Sequence, residues 1–413
     1  MKPSIAILTI GNEILNGRIQ DTNTRAIARL LVGHGLVAER AMTVADDLQA
    51  IREALLFLAA RHRFVVVSGG LGPTGDDLTT AAAALAFGRP LQICPEALEM
   101  VRAFFRRLGR EMTGRQEKQA LLPQGAVILP NPQGSAPGFL ITEQSCRFAF
   151  LPGVPQEMEE MIRLSVLPLI QDCFDGSCTY RYRSFTLLGL PESEAEALLE
   201  RVDLPEHVGV ALCVNFPLVE VGLSTTWKDG EAFLEDIAKR VRHVYGEHLV
   251  AEGEETLVER VARMLIDSGR TLSLAESCTG GWIAKLLTDI PGSSAFLERG
   301  AVAYANSAKR DWLNVSDDIL AGTGAVSGEC ALAMARGVRL ASGSDIALSV
   351  TGIAGPLGGS PQKPVGTVFI ALVAEKVESV EQFLFPGNRD RVRWRTVCTA
   401  LDRLLRHLAK GAA

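Results

Sequence analysis

The stretch SLAESCTGGWIAKLL, residues 273 to 287, sets a serine and a cysteine side by side between an apolar run and a glycine pair that opens a helical pattern. Ser277 or Cys278 could attack a carbonyl carbon, provided that another group takes the proton. No histidine occurs from residue 249 through 406, which excludes a Ser-His-Asp or Cys-His arrangement within this part of the chain. Lysine, tyrosine and the carboxylates are the bases that remain. AYANSAK, residues 303 to 309, offers Tyr304 and Lys309 after the next apolar run, and Thr351 opens the loop TGIAGPLGGSPQKPVGT. Gly352 and Gly355 in that loop let backbone amides approach an oxyanion or a phosphate. Thr279, Gly280 and Gly281 place further amides at a helix start, where anions are favoured. Each residue also has a plain structural role: Ser277 as a helix cap, Cys278 as a small buried apolar group, Tyr304 as a sheet aromatic and Lys309 as a solvated helix residue.

These residues need strand ends to hold them, and the patterning supplies strands. From about 256 to 410 the sequence reads helix, strand (TLSLA), helix, strand (GAVAYA), helices, strand (DIALSVTG), glycine-rich loop, strand (VGTVFIALV) and a final helix of arginines and leucines. The amino-terminal part alternates in the same way. SIAILTI at 4 to 10 is a strand-length apolar run, 22 to 32 carries apolar residues at helical spacing, and 37 to 44, 48 to 60 and FVVVS at 64 to 68 continue as strand, helix and buried strand. Such alternation predicts a mostly parallel sheet covered by helices. GGLGPTGDDLT then follows FVVVS as a glycine-rich turn, and open sheets of this class bind ligands at the carboxyl ends of their strands.

Between these parts, residues 177 to 250 predict a small α+β module of strand, helix, two strands and helix. Its order resembles the KH type of RNA-binding domain, but it has no GxxG clamp, and seven Lys or Arg face twelve Asp or Glu. Binding of single-stranded RNA needs the opposite field, so the module is expected to be a spacer or a dimerisation element. Three domains are expected, at 1–171, 172–252 and 253–413. The 413 residues are 47% apolar and 22% charged with a formal charge of −6, the balance of a folded globular chain that takes no dominant nucleic-acid or anionic-membrane partner. Eight scattered cysteines without a CxxC pair point to reduced thiols and a cytoplasmic address. The opening MKPSIAILTI is too brief for a signal peptide or a membrane span.

The whole chain resembles the CinA family of competence and damage-inducible proteins, on AESCTGGWIAKLLTDIPGSSAFLERG, VAYANSAK, GAVSGE, VTGIAGP and GGSPQKPVGTVFIAL. Residues 256 to 410 resemble the family's carboxy-terminal domain, a nicotinamide mononucleotide amidohydrolase of the PncC type. The resemblance implies that Ser277, not Cys278, is the nucleophile, with Tyr304 and Lys309 as the activating pair and Thr351 as a polar contact near the carboxamide. Arg389 and Arg393 in FPGNRDRVR are implied near the nucleotide phosphate, a task suited to the planar fork of arginine. No cofactor is implied for this reaction.

The amino-terminal domain is similar to the molybdopterin-binding fold of MoaB and MogA proteins, on TIGNEILNGRIQDTN, SGGLGPTGDDLT, NPQGSAPGF and LPGVPQEM. The likeness implies a site containing Glu13, Gly69, Gly70, Gly72, Asp76, Asp77, Gly134 and Ser135, and a metal-dependent ADP-ribose pyrophosphatase activity. Asp77 and Asp76 would hold a divalent Mg, Mn or Co ion beside the phosphates, or else cap the following helix. Asn12 stands where the family pattern has an aspartate, which removes one carboxylate. The expected protein is therefore a cytoplasmic enzyme of pyridine-nucleotide recycling, a homodimer acting on nicotinamide mononucleotide and on ADP-ribose. Its rivals are a non-catalytic interaction protein of competence or DNA repair and a pterin-binding protein.

Overall fold

The structure, a computed structural model, describes residues 4–174, 180–227 and 230–410. Cys178 and the first residues of the middle segment, 177–179, lie outside the described residues. The chain divides into two packed units, the first of Met1–Tyr182 with Thr225–Gly230 and the second of Arg183–Ser224 with Glu231–Ala413, which holds most of the middle segment together with the carboxy-terminal one.

The first unit is built on a six-stranded sheet. The strands Ala38–Val44, Ile5–Ile10, Phe64–Ser68 and Cys146–Leu151 run parallel in that order, and Gly138–Glu143 and Val127–Leu129 extend the sheet antiparallel. IAILTI and FVVVS are buried along their whole length, the signature of strands covered on both faces. The antiparallel extension is a hairpin that the alternation of strand and helix did not predict. Helices Thr22–Gly33 and Leu48–Ala59 begin where Asp21 and Asp47 accept the first free amides.

In the second unit, a four-stranded sheet runs in the order Gly209–Asn215, Leu218–Thr225, Arg181–Leu188, Leu249–Glu252. The last strand runs through the start of AEGEET, which reads as a junction, and pairs antiparallel with Arg181–Leu188. Val250 on it is fully buried, together with Leu188, in the hydrophobic core that also holds Leu257, Val261 and Leu265. The expected boundary at 252/253 thus falls inside a shared core.

The carboxy-terminal sheet has the order Leu297–Val302, Leu272–Glu276, Ile346–Gly352, Thr367–Ala374, Glu378–Leu384. The first three strands are parallel and the last two antiparallel. The edge strand Glu378–Leu384 is almost wholly exposed and gives no apolar run to read. Thr256 and Glu259 form a capping box at the start of helix Leu257–Ser268, and Gly269 closes it in the left-handed region at φ 62°. The returning chain then enters Leu272–Glu276, which is buried at every residue. Among the described residues, no helix is long and apolar enough to cross a membrane.

Candidate active site

Leu272–Glu276 lies between two parallel neighbours, so its end is fixed from both sides. The Ser277 amide extends the ladder by donating to the Val350 carbonyl at 3.0 Å. The chain must then turn sharply into helix Trp282–Thr288, and Gly281, at φ 88°, supplies the left-handed residue at the helix entry.

Lys309 reaches this turn from helix Asn306–Leu313. Its side chain is buried, and Nζ lies 2.9 Å from the Ala303 carbonyl, 2.9 Å from the Tyr304 carbonyl and 3.1 Å from Ser277 Oγ. A neutral amine has two N–H donors and one lone pair. Nζ donates to both carbonyls and to Ser277 Oγ; once deprotonated it would keep the two carbonyl bonds and turn its lone pair to the serine hydroxyl. Burial pushes the lysine pKa below its ordinary value, because a desolvated ammonium is penalised. The arrangement is therefore a serine hydroxyl held against a buried base.

Cys278 has a different environment. Burial pushes its thiol up to about 12, so the thiolate, the nucleophilic form, is suppressed. The residue is 6% exposed and packs as an apolar group.

Not every amide of the turn is available to an oxyanion. Ser277 N serves Val350, and Gly280 N donates to the Ser277 carbonyl at 3.1 Å. The amides of Gly281, Ile283 and Ala284 are taken by Glu276, whose buried carboxylate accepts them at 3.0, 3.2 and 2.8 Å. The helix start thus carries its own anion and does not present a free one-turn site, contrary to the expectation for Gly281. The amides of Cys278 and Thr279 donate to no protein oxygen among the described residues. Arg393 sits behind them, giving Nε to the Cys278 carbonyl at 3.1 Å and Nη2 to the Thr279 carbonyl at 2.8 Å. In a trans peptide the N–H points away from the C=O, so anchoring the Cys278 carbonyl turns the Thr279 N–H to the opposite side. Thr279 Oγ1 is fully buried and has no hydrogen-bond partner. A polar ligand group at this turn would satisfy it.

The other predicted residues take these places. The Tyr304 ring is 61% exposed, and its phenol accepts from Arg389 Nη2 at 3.3 Å, so the residue touches Lys309 through its carbonyl and not its hydroxyl. Arg389 also donates to the Gly355 carbonyl at 2.8 Å. Arg393 is committed to the turn and stacked over Trp282 at 5.3 Å, which leaves it little freedom to hold a phosphate. A Cβ on Gly280 would lie 3.4 Å from Arg393 Nη2. Gly352 ends the antiparallel ladder opposite Val368. Thr351, one residue beyond the Val350 acceptor, donates to the Ala325 carbonyl at 2.7 Å. Sequence reasoning missed Glu276 and Lys363. The Lys363 ammonium binds the Thr323 and Val326 carbonyls at 2.6 and 2.7 Å and, with Thr351 on Ala325, ties the start of GAVSGE to the site. Their signal was present, a carboxylate directly before the nucleophile and a lysine in the glycine-rich loop.

The amino-terminal residues converge less. Thr74 donates its hydroxyl to Asp76 and to Asp77, the latter at 2.5 Å, and its amide to Asp77 at 2.8 Å. This pairing pulls the Asp76 carboxyl below its ordinary value. Neither aspartate caps the following helix Thr79–Ala86, whose N-cap is Leu78. Gly69 accepts from Thr79 Oγ1 at 2.8 Å, a Cβ on Gly70 would meet that same oxygen at 2.3 Å, and one on Gly72 would meet Asp77 Oδ2 at 2.5 Å. Gly134 and Ser135 line a separate cavity of about 520 Å³ with Phe104, Arg107 and Leu164, and Glu13, Asp76 and Asp77 do not line it. Asn12 donates its amide to Asp46 at 2.7 Å. Among the described residues, no three His, Cys, Asp or Glu side chains gather to hold a metal ion. Asp76 and Asp77, gathered on Thr74, are the two carboxylates that would face the divalent cation implied by the family likeness, with substrate phosphates and water completing its shell.

Comparison with known proteins matches residues 254–408 to the CinA C-terminal domain and residues 6–172 to a probable molybdopterin binding domain. A CinA-like protein of Syntrophotalea carbinolica is 48% identical over 408 residues, 99% of each chain. A CinA-like protein of Geobacter metallireducens is 49% identical over 407 residues, 98% of each chain. The crystal structure of a competence-damaged protein (CinA) superfamily protein from Klebsiella pneumoniae aligns with 37% of this chain and 96% of its own, at 37% identity and a TM-score of 0.36.

Proposed function

The chain belongs to the CinA family, and we propose that its carboxy-terminal domain is a serine amidase that hydrolyses the carboxamide of nicotinamide mononucleotide. The observation that supports this most is the contact between Lys309 Nζ and Ser277 Oγ at 3.1 Å, with both other polar contacts of the amine made by carbonyls.

In this reading Lys309 takes the Ser277 proton as Oγ bonds to the carboxamide carbon. The oxyanion develops toward the amides of Cys278 and Thr279, each such donor being worth ~3 kcal/mol in related sites. The tetrahedral adduct collapses with cleavage of the C–N bond, and the proton passes from Lys309 to the leaving nitrogen, which departs as ammonia. Water, deprotonated by the same amine, then attacks the acyl carbon, the C–O bond to Ser277 breaks as Lys309 returns the proton to Oγ, and the pyridine carboxylate nucleotide is released. The exposed Tyr304 ring offers a π face to the cationic pyridinium, and Arg389 beside it is the cation available to the phosphate.

The test is ammonia release from nicotinamide mononucleotide by the purified chain and by Ser277→Ala. Turnover by the parent and none by the variant is expected. Absence of turnover in the parent, with tight capture of a partner protein or a co-purified pterin chromophore, would favour the rival readings.

A further inference from the structure

A cavity of about 720 Å³ opens at the opposite end of the carboxy-terminal sheet from Ser277. Arg270 precedes the strand Leu272–Glu276 and Asp345 precedes Ile346–Gly352, so both mark the amino ends of strands whose carboxyl ends build the serine site. At about 3.3 Å per residue the two places are ~15–20 Å apart. Six cationic side chains line the cavity against three carboxylates, on a chain whose formal charge is −6. Arg403 pairs with Glu381, and Arg406 with Glu247 and Asp402. Arg270, Arg339, Lys376 and Lys410 form no ion pair among the described residues, and Arg339 gives its Nε to the Asp345 backbone. The Asp345 carboxylate is engaged by the Thr271 amide and hydroxyl, both at 2.8 Å.

The field inside is positive. His407 is held below its ordinary pKa by burial first and then by Arg270 and Lys410. Arg270, Arg339, Lys376 and Lys410 are gathered here with no carboxylate in ion-pair contact among the described residues, a surplus of positive charge that an anion would offset. The wall is not uniformly polar, because Ile346, Leu372 and Val377 also line it. An apolar wall under a rim of cations fits a ligand with a flat body and several negative charges, and the volume lies within the range of small-molecule sites.

We propose that this cavity binds a nucleoside polyphosphate, with Arg270, Lys376 and Lys410 on the phosphates and the base against the exposed Val377 side chain, at a site distinct from Ser277. The inference stands on the cavity alone and does not depend on the amidase reading. Three elements connect the two ends: the serine strand, the strand that supplies Val350, and helix Arg389–Lys410, which carries Arg393 near one end and Arg406, His407 and Lys410 at the other.

The test is calorimetric titration of the full chain with ADP and, separately, with inorganic pyrophosphate at ~0.1 M salt, where exposed charges are already partly screened. Saturable binding is expected, tighter for ADP than for pyrophosphate. Replacing Arg270, Lys376 and Lys410 together by Gln should weaken ADP at least about tenfold through loss of charge-assisted phosphate contacts, whereas Ser277→Ala should leave it unchanged. If the triple variant does not fold, Lys376→Gln and Lys410→Gln singly, both exposed positions, should each weaken ADP measurably. Undiminished ADP binding in these variants would overturn the site, and equal affinity for ADP and pyrophosphate would overturn the nucleoside.

Discussion

Glu276 gives the sharpest quantitative test of how the turn is held. Its Oε2 accepts from Gly281 and Ile283, and its Oε1 from Ala284. In Glu276→Gln the amide keeps one oxygen, and the orientation that preserves two bonds puts NH2 against the Ala284 N–H. An unsatisfied buried amide costs ~1–3 kcal/mol, and removing the negative charge from a helix start costs ~0.5–2 kcal/mol more. The expected loss is thus ~1.5–5 kcal/mol in a buried setting, and with a urea slope of ~1–3 kcal/mol/M it lowers the midpoint by at least ~0.5 M. Urea unfolding followed by tryptophan fluorescence reads this directly, because Trp282 and Trp394 stack at 5.1 Å beside the turn. Ammonia release should fall at least ~10-fold even under folding conditions, since sub-ångström displacement of a nucleophile is costly. A midpoint within ~0.1 M of the parent, well below the ~0.3 M that is the smallest shift expected from one lost buried bond, would show that the carboxylate does not hold the helix start and that the account of the turn is wrong.

Lys309→Arg keeps donors but has no accessible neutral form, so kcat should fall ~10²–10⁴-fold, and a variant with near-parent kcat would refute the base assignment. The lowered lysine pKa also sets the sign of the pH profile: kcat/KM should rise with pH until the folded-state pKa is passed and then level off, whereas a profile falling across the same range would require a protonated lysine. The same shift makes the unfolded chain the stronger proton binder, so this group's contribution to stability should be lost as pH falls from about 10.4 toward the folded value, visible in urea midpoints. Cys278→Ala should keep most of the ammonia release, because the thiol packs and does not react; a loss as deep as that of Ser277→Ala would reverse their roles. A fragment beginning at residue 253 should unfold at lower urea than one beginning at 181, since it lacks Leu188 and Val250, each buried aliphatic being worth ~1.5–3 kcal/mol, and equal midpoints would show that the shared core contributes nothing.

The serine strand was legible because a strand buried on both faces leaves an uninterrupted apolar run, and its end is marked by the glycines of the turn. The absence of histidine from 249 to 406 left lysine, tyrosine and the carboxylates as bases, and it was the family resemblance that singled out Lys309 together with Tyr304. Glu276 was not, because a carboxylate that closes a buried helix start looks in sequence like any polar residue before a turn. Arg393 shows the opposite limit. An arginine in a phosphate-like motif announces a charge, but only the fold shows that its fork is spent on two backbone carbonyls. The strands Leu249–Glu252 and Glu378–Leu384 were missed because one is short and begins a polar stretch, and the other is an exposed edge with no alternation to detect.

The strand Leu249–Glu252 also orders events during synthesis. It pairs with Arg181–Leu188, which is made about sixty residues earlier, so the four-stranded sheet stays open along one edge until residue 252 has left the ribosome. The carboxy-terminal core cannot close before then, because Leu188 and Val250 form part of it. When helix Leu257–Ser268 emerges, a finished apolar surface is already waiting for Leu257, Val261 and Leu265. The nascent carboxy-terminal half therefore starts on a template supplied by the middle sheet, and a pause in translation shortly after residue 252 would let that template mature before the serine strand arrives.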